Sequence, residues 1–223
     1  MRVLHCIHSL NPEGGGPIRF VRQMAERQDE LGIEVVVASV DGIDNPLVGR
    51  FPCPVHALGP GRGSWGYSGK FVPWLKEHRH EFDLVVVNGL WQFPSLATWL
   101  ALGKGQTPYV VFPHGMLDPW FNQAYPLKHL KKLLYWTLAE YRVLREARAV
   151  LFAADEERLA ARTSFSPYRV KEMVVGFGVE EPPGDPGEQQ KEFLARFPEL
   201  EDRQALLFLG RLTEKKGDRK SVV

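Results

Sequence analysis

The chain has 223 residues, of which 44% are apolar and 25% are charged, and its formal net charge is +1. This composition supports a sizeable hydrophobic core and excludes wholesale disorder, and the near-neutral charge argues against a dedicated nucleic-acid binder. At ~150 residues per domain, the length corresponds to about one and a half domains.

The sequence indicates neither cysteine chemistry nor a membrane span. Cys6 and Cys53 form no CxxC pair and no metal-ligand cluster, so a disulfide framework and a zinc site are both disfavoured. No apolar run approaches the ~18 residues of a transmembrane helix, and the first residues do not form a signal peptide. The expectation is therefore a soluble, cytoplasmic protein.

Apolar segments typical of strands alternate with segments of helical periodicity. The predicted strands cover residues 2–8, 33–39, 54–58, 83–87, 109–112, 149–153 and 170–175. The predicted helices cover residues 17–31, 71–80, 91–102, 127–148 and 155–163. This alternation predicts an α/β fold with a Rossmann-like parallel sheet and helices on both faces, in which ligands bind at the carboxyl ends of the strands.

The composition changes after the last of these strands. A polar segment rich in proline and glycine, 180–187, is typical of a linker, and a short helix is predicted over 188–197. A new apolar strand is predicted at 205–209. We therefore expect three parts: a Rossmann-like domain over 1–179, a linker with a short helix over 180–203, and the start of a second domain over 204–223.

Three consecutive glycines, 14–16, lie between the first predicted strand and the first predicted helix. Glycines let the backbone approach a ligand closely, and the free N–H groups of a helix start favour an anion such as phosphate. A plain tight turn would also use glycines, so both interpretations stand. The run is not a GxGxxG motif, which disfavours a nicotinamide-dependent oxidoreductase.

Polar and aromatic side chains follow two of the predicted strands. Asn88 and Trp91 follow the fourth strand, where they could hydrogen-bond to and stack on a sugar ring, although core packing suits Trp91 equally well. His114 follows the fifth strand, where it could donate a hydrogen bond or act as an acid or base. Asp118 is either a catalytic carboxylate or a cap of the next segment.

The predicted helix 127–148 carries six cations against two carboxylates, with aromatic residues interleaved. Its local charge excess of about +4 suits contact with an anionic membrane or with a phosphorylated acceptor. The alternative is a solvated face whose aromatic side chains pack inward.

Four short motifs occur in order along the chain. They are Gly-Gly-Gly-Pro at 14–17, Asn-Gly-Leu-Trp at 88–91, His-Gly-Met-Leu-Asp-Pro-Trp at 114–120, and Leu-Gly-Arg followed by Lys-Lys-Gly within 209–217. In this combination the sequence resembles the family 4 retaining glycosyltransferases, whose two Rossmann-like domains face a cleft in the GT-B fold. The resemblance extends to Gly217, and its most specific parts are the last two motifs.

The resemblance implies a nucleotide-sugar donor and transfer of its sugar with retention, without a metal or another cofactor. It places Gly15 and Gly16 near the donor diphosphate and makes His114 the catalytic residue beside the transferred sugar. Arg211 and Lys216 would neutralise the diphosphate as it leaves. A helix start and two cations can stabilise that developing charge without a metal ion.

The resemblance also implies that the N-terminal domain binds the acceptor, a saccharide or a lipid-linked sugar in polysaccharide biosynthesis. The candidate acceptor-binding residues are Asn88, Trp91 and Asp118. Family members continue far beyond the final motif, so we expect a truncated member that is weakly active or inactive. The alternative function is a stand-alone module that binds saccharide or nucleotide without catalysis.

Overall fold

A computed structural model gives the fold and describes residues 1–103, 105–124, 126–176, 178, 184–201 and 203–204. The chain divides into two compact units, Met1–Phe177 and Gly178–Val223. The predicted strand at 205–209 lies outside the described residues, and so do Arg211 and Lys216.

One parallel sheet organises the first unit. Its strands are β1 (Arg2–Ile7), β2 (Glu34–Ser39), β3 (Val55–Ala57), β4 (Leu84–Asn88), β5 (Tyr109–Phe112), β6 (Ala149–Phe152) and β7 (Glu172–Val174). They lie in the order β3-β2-β1-β4-β5-β6-β7, and every neighbouring pair is parallel. The predicted α/β fold is confirmed, and each of these strands lies within the predicted segment or within one residue of it.

Helices cover both faces of the sheet. In the first unit they are α1 (Gly16–Glu26), α2 (Gln28–Leu31), α3 (Phe71–His78), α4 (Phe93–Leu102), α5 (Trp120–Ala124), α6 (Pro126–Tyr135), α7 (Tyr141–Glu146) and α8 (Asp155–Ala161). The apolar stripe Ile18, Val21 and Ala25 packs α1 against β1 and β2 on one face. Buried side chains of α3, α4 and α7 form the larger core on the other face.

The predicted helix 17–31 is two helices in the structure. It breaks at Arg27, whose N–H still donates to the carbonyl of Gln23 at 3.1 Å and so closes α1. The short α2 ends at Gly32, whose φ of 62° is the left-handed conformation that glycine adopts readily at a helix end.

The predicted helix 127–148 is also interrupted. A π-helical segment, Trp136–Glu140, separates α6 from α7, and its buried members are Trp136, Ala139 and Glu140. Such segments widen a helix by one residue in a turn and occur frequently at functional sites. Here the widening turns a carboxylate into the protein interior, which the charge pattern of the sequence did not indicate.

The second unit contains α9 (Pro186–Arg196). The carboxylate of Asp185 accepts a hydrogen bond from the backbone N–H of Glu188 at 2.9 Å and so caps the helix. At its other end the rings of Phe193 and Phe197 lie 5.0 Å apart.

Among the described residues, none of the helices has the length and apolar character needed to cross a bilayer. No group of three histidine, cysteine or carboxylate side chains in that part of the chain is placed to hold a metal ion.

Candidate functional site

The strand order gives the position of the candidate site. The chain builds β1, β2 and β3 outward in one direction and then returns to place β4 on the other side of β1. Parallel α/β sheets bind ligands outside the carboxyl ends of their strands, at the point where the order reverses. In this protein that point lies between β1 and β4, and the loops after β1, β4 and β5 border it.

At this switch point the register of the strands places three functional or aromatic side chains on one face of the sheet. His5 of β1 pairs with Val86 of β4, and Asn88 of β4 pairs with Phe112 of β5. Side chains two residues apart on a strand share a face, so His5, Asn88 and Phe112 all point to the side covered by α1. His5 and Asn88 are both buried.

Asn88 joins two histidines. Its Oδ1 lies 3.2 Å from Nε2 of His114, and its Nδ2 lies 3.2 Å from Nδ1 of His5 and 3.2 Å from the carbonyl oxygen of Val86. A carbonyl can only accept, so the amide nitrogen of Asn88 faces Val86 and the amide oxygen faces His114. His114 therefore donates from Nε2, and His5 accepts at Nδ1.

Burial keeps both imidazoles neutral. Burial lowers the pKa of His5 to about 4, and this effect outweighs the hydrogen bond with Asn88, which raises the pKa. It also lowers the pKa of His114 to about 4, and the neighbouring His5 acts in the same direction. At neutral pH the proton of His114 is on Nε2, so Nδ1 is the nitrogen with acceptor character. Within the described residues, the buried Nε2 of His5 has no hydrogen-bond partner.

Two phenylalanines hold the His114 ring. Phe112 stacks on it with centroids 4.1 Å apart, and Phe20 meets it edge-on at 5.7 Å. Phe20 also contacts the rings of Phe112 and His5, at 5.2 Å and 6.1 Å. Because Phe20 belongs to α1, the helix that starts at the glycine run packs directly against the histidine pair.

The backbone of the His114 loop is held in an unusual conformation. His114 has a φ of 51° and Gly115 a φ of 76°, and a left-handed residue other than glycine costs about 1–3 kcal/mol. Glu157 of α8 offsets this cost, since it accepts from the N–H of Gly115 at 2.7 Å and from that of Ala153 at 2.9 Å. Sequence reasoning missed Glu157, whose one signal was the acidic first turn of α8.

The glycine run forms the start of α1 at the same end of the sheet as the His114 loop. A 3₁₀ helix, Pro12–Gly14, precedes it, capped by the side chain of Asn11, which accepts from the N–H of Glu13 at 3.0 Å. Gly15 has a φ of 82° and a ψ of −137°, a conformation open to glycine alone. A side chain built on Gly15 or Gly16 would meet open space, so this backbone is accessible to a ligand.

Trp91 lies on the other side of the switch point, with a φ of 69°. Its backbone N–H donates to Oε1 of Glu140 at 2.6 Å, and its indole Nε1 donates to the carbonyl of Met116 at 3.3 Å. Nζ of Lys132 lies 4.5 Å from the centroid of its ring. The half-buried Trp91 therefore connects the loop after β4 to the His114 loop and to α6.

Glu140 is a buried carboxyl that sequence reasoning did not single out. Its Oε1 also accepts from Oγ of Ser95 at 2.8 Å, while its Oε2 is buried without a partner among the described residues. Burial raises the pKa of Glu140 to about 7, against the hydrogen bonds from Ser95 and Trp91 and the nearby charge of Lys132.

The structure brings some of the predicted site residues together and places others apart. Asn88 and His114 are in contact, and Trp91 reaches the same loop as His114 through Met116. Asp118 accepts from the N–H of Trp120 at 2.9 Å, which is the capping contact that one of its two predicted roles requires.

The fold is shared with several solved structures, among them one described as a glycosyltransferase. Sucrose-phosphate synthase from Thermosynechococcus elongatus gives a TM-score of 0.63 at 16% identity over 97% of this chain and 57% of its own. HepE from Anabaena, in complex with UDP, gives 0.55 at 19% identity over 86% of this chain and 50% of its own. A glycosyltransferase from Rickettsia africae gives 0.52 at 12% identity over 88% and 49%. The chain thus spans about half the length of these proteins.

Comparison with curated proteins finds no match at the sequence level. A family model described as a glycosyl transferase 4-like domain matches residues 15–178, which is most of the first unit. The matched region includes Gly15, Gly16, Asn88, Trp91 and the His114 motif, so the family predicted from these residues is confirmed. The chain belongs to the glycosyl transferase 4-like domain family.

Proposed function

We propose that this chain is the acceptor-side half of a GT-B glycosyltransferase that transfers a sugar from a nucleotide-sugar to a saccharide or lipid-linked acceptor, with retention. The observation that carries the proposal is the position of His114, which a hydrogen bond to Asn88 holds at the switch point of the sheet. The nucleotide donor is supported by HepE, whose structure was solved with UDP and glucose.

In this proposal the donor diphosphate lies at the start of α1. Gly15 and Gly16 expose their backbone there, and the free N–H groups of a helix start favour negative charge. The bond between the sugar and the diphosphate breaks as the acceptor hydroxyl attacks from the same face, and negative charge builds on the leaving group. The proton of the hydroxyl passes to the departing diphosphate oxygen. Arg211 and Lys216 would neutralise it, and we propose that no metal or other cofactor is needed.

His114 serves the transferred sugar through its fixed tautomer. Because Nε2 donates to Asn88, Nδ1 has the acceptor character that suits a sugar hydroxyl. Because the His114 ring is neutral, the negative charge of the diphosphate would be stabilised by Arg211, Lys216 and the start of α1. The amide of Asn88 makes internal hydrogen bonds, so we assign it to positioning His114, with Trp91 and Asp118 remaining the candidates for acceptor contact.

A second candidate function is a binding module without catalysis. The chain spans about half the length of its structural neighbours, which favours binding by the 223 residues over robust turnover. We propose that the isolated chain is weakly active or inactive, and that transfer takes place in the cytoplasm during polysaccharide assembly.

Titration separates these functions. The 15N-labelled chain is titrated with UDP-glucose and with oligosaccharides, and sugar transfer is assayed in parallel. The proposal expects UDP-glucose to shift the amide signals of Gly15, Gly16 and Gly115, and His114→Ala to weaken that binding while the exposed His80→Ala does not. Shifts with oligosaccharide alone would favour the binding module, and shifts with NAD in place of UDP-glucose would overturn the glycosyltransferase proposal.

A further inference from the structure

The outer face of α6 and of the π-helical segment carries three leucines that the fold leaves in water. Leu130, Leu134 and Leu138 are 65%, 64% and 61% exposed. They follow one another at intervals of four residues, so they form one continuous row along the helical surface, here called the leucine stripe. The inner face of the same segment packs into the core, where Trp136 is completely buried.

The surroundings of the leucine stripe are positively charged. Lys131, Arg142 and Arg145 are the exposed charged residues between positions 129 and 146. Of the two carboxylates of that segment, Glu140 is buried, and Glu146 forms an ion pair with Arg145 at 3.1 Å and accepts from Nε1 of Trp99 at 2.7 Å. Lys131 and Arg142 therefore carry the net positive charge of this surface. An apolar row flanked by cations is the pattern of a helix that lies in a lipid interface.

We propose that the leucine stripe docks this domain on an anionic bilayer, with its leucines at the acyl boundary and with Lys131 and Arg142 among the headgroups. A second copy of the chain fits this surface less well, because pairing two stripes brings like charges together. Each partner in a standard protein interface also contributes about 800 Å², which is more surface than three leucine side chains expose.

Docking would place the candidate site beside the membrane. Lys132 is the neighbour of Lys131 on α6 and lies over the ring of Trp91, on the loop that follows β4. A docked α6 therefore brings that loop toward the headgroups, where a lipid-linked acceptor would be presented. This consequence rests on the proposed sugar transfer, whereas membrane binding itself does not.

Vesicle co-sedimentation of the full 223-residue chain tests the proposal. Vesicles of equal parts phosphatidylglycerol and phosphatidylcholine should bind the chain, and vesicles of phosphatidylcholine alone should bind it at least about tenfold more weakly. The triple variant L130Q/L134Q/L138Q should lose at least about tenfold in binding to the anionic vesicles. K131Q/R142Q should bind more weakly and with less dependence on salt.

The matched control replaces three other leucines of similar exposure, in L31Q/L100Q/L159Q. It should bind vesicles as the wild-type chain does, and thermal unfolding of each variant verifies its fold. Equal binding of the stripe variant and the wild type would overturn the proposal, as would equal binding to both kinds of vesicle. A dimer that forms without vesicles and disappears in the stripe variant, with no vesicle binding, would identify a copy-to-copy interface and overturn it as well.

Discussion

Replacing Glu140 with glutamine should remove a loss of stability that the wild-type chain undergoes as pH rises. Burial raises the pKa of this carboxyl from 4.5 to about 7 in the folded protein. Between those values the folded state binds more protons than the unfolded state, so the free energy of unfolding falls with rising pH. At about 1.4 kcal/mol per pH unit, the fall amounts to about 3 kcal/mol between pH 4.5 and pH 7.

Urea unfolding of the wild type and of Glu140→Gln across this pH range measures the effect. Glutamine keeps an acceptor for the Trp91 N–H and the Ser95 hydroxyl but carries no charge, so the cost of burying its amide is the same at every pH. His5 and His114 titrate in both proteins, and their contributions cancel in the comparison. The stability of the variant relative to the wild type should therefore rise by about 3 kcal/mol from pH 4.5 to pH 7.

Ser95→Ala provides an internal check on the cause. The hydrogen bond from Ser95 lowers the pKa of Glu140 in the folded protein, so its removal should extend the loss of stability to higher pH while the loss still begins near pH 4.5. A difference between Glu140→Gln and the wild type that stays constant with pH would refute the reasoning, because the buried carboxyl would then not be ionising within the window.

Three further outcomes are expected. In long-range 1H–15N spectra, His5 and His114 should remain neutral with the proton on Nε2 down to about pH 5, and Asn88→Ala should abolish that fixed tautomer in His114. Gly15→Val should cost about 1–3 kcal/mol and weaken UDP-glucose binding in calorimetry, whereas Gly16→Ala should leave stability nearly unchanged. Trp136→Ala removes the buried indole that stacks on Phe165, and it should lower the free energy of unfolding in urea by about 3–5 kcal/mol.

The centre of the sheet could be predicted from the sequence because most residues of β1, β2, β4 and β5 are buried. Short apolar runs such as the one over 35–38 favour buried strands when they alternate with helical segments that have an apolar stripe, and this alternation favours parallel pairing. The interruption of the helix at 127–148 could not be predicted. No proline or glycine marks it, and its cause is tertiary, since Glu140 turns inward to accept from the backbone of Trp91.

Part of the candidate site could be predicted from the sequence, because two of its residues directly follow predicted strands. Asn88 and His114 follow strands, so position alone singled them out. His5 lies within a strand, and its signal was a lone polar residue in an apolar run. Phe20 was one more apolar residue of α1, and nothing local shows that its ring touches both histidines. Both omissions concern contacts between residues far apart in the chain.

The histidine pair depends on the register of three strands. His5 pairs with Val86 across β1 and β4, and the next residue on that face of β4, Asn88, pairs with Phe112 of β5. A slip of one residue would move Asn88 to the opposite face, among the apolar side chains of the larger core. The same packing that makes the sheet stable therefore holds the amide that fixes the His114 tautomer. The loops that follow the strands can differ in sequence without disturbing this contact, since the position of Asn88, and with it the tautomer of His114, depends on the pairing of the strands.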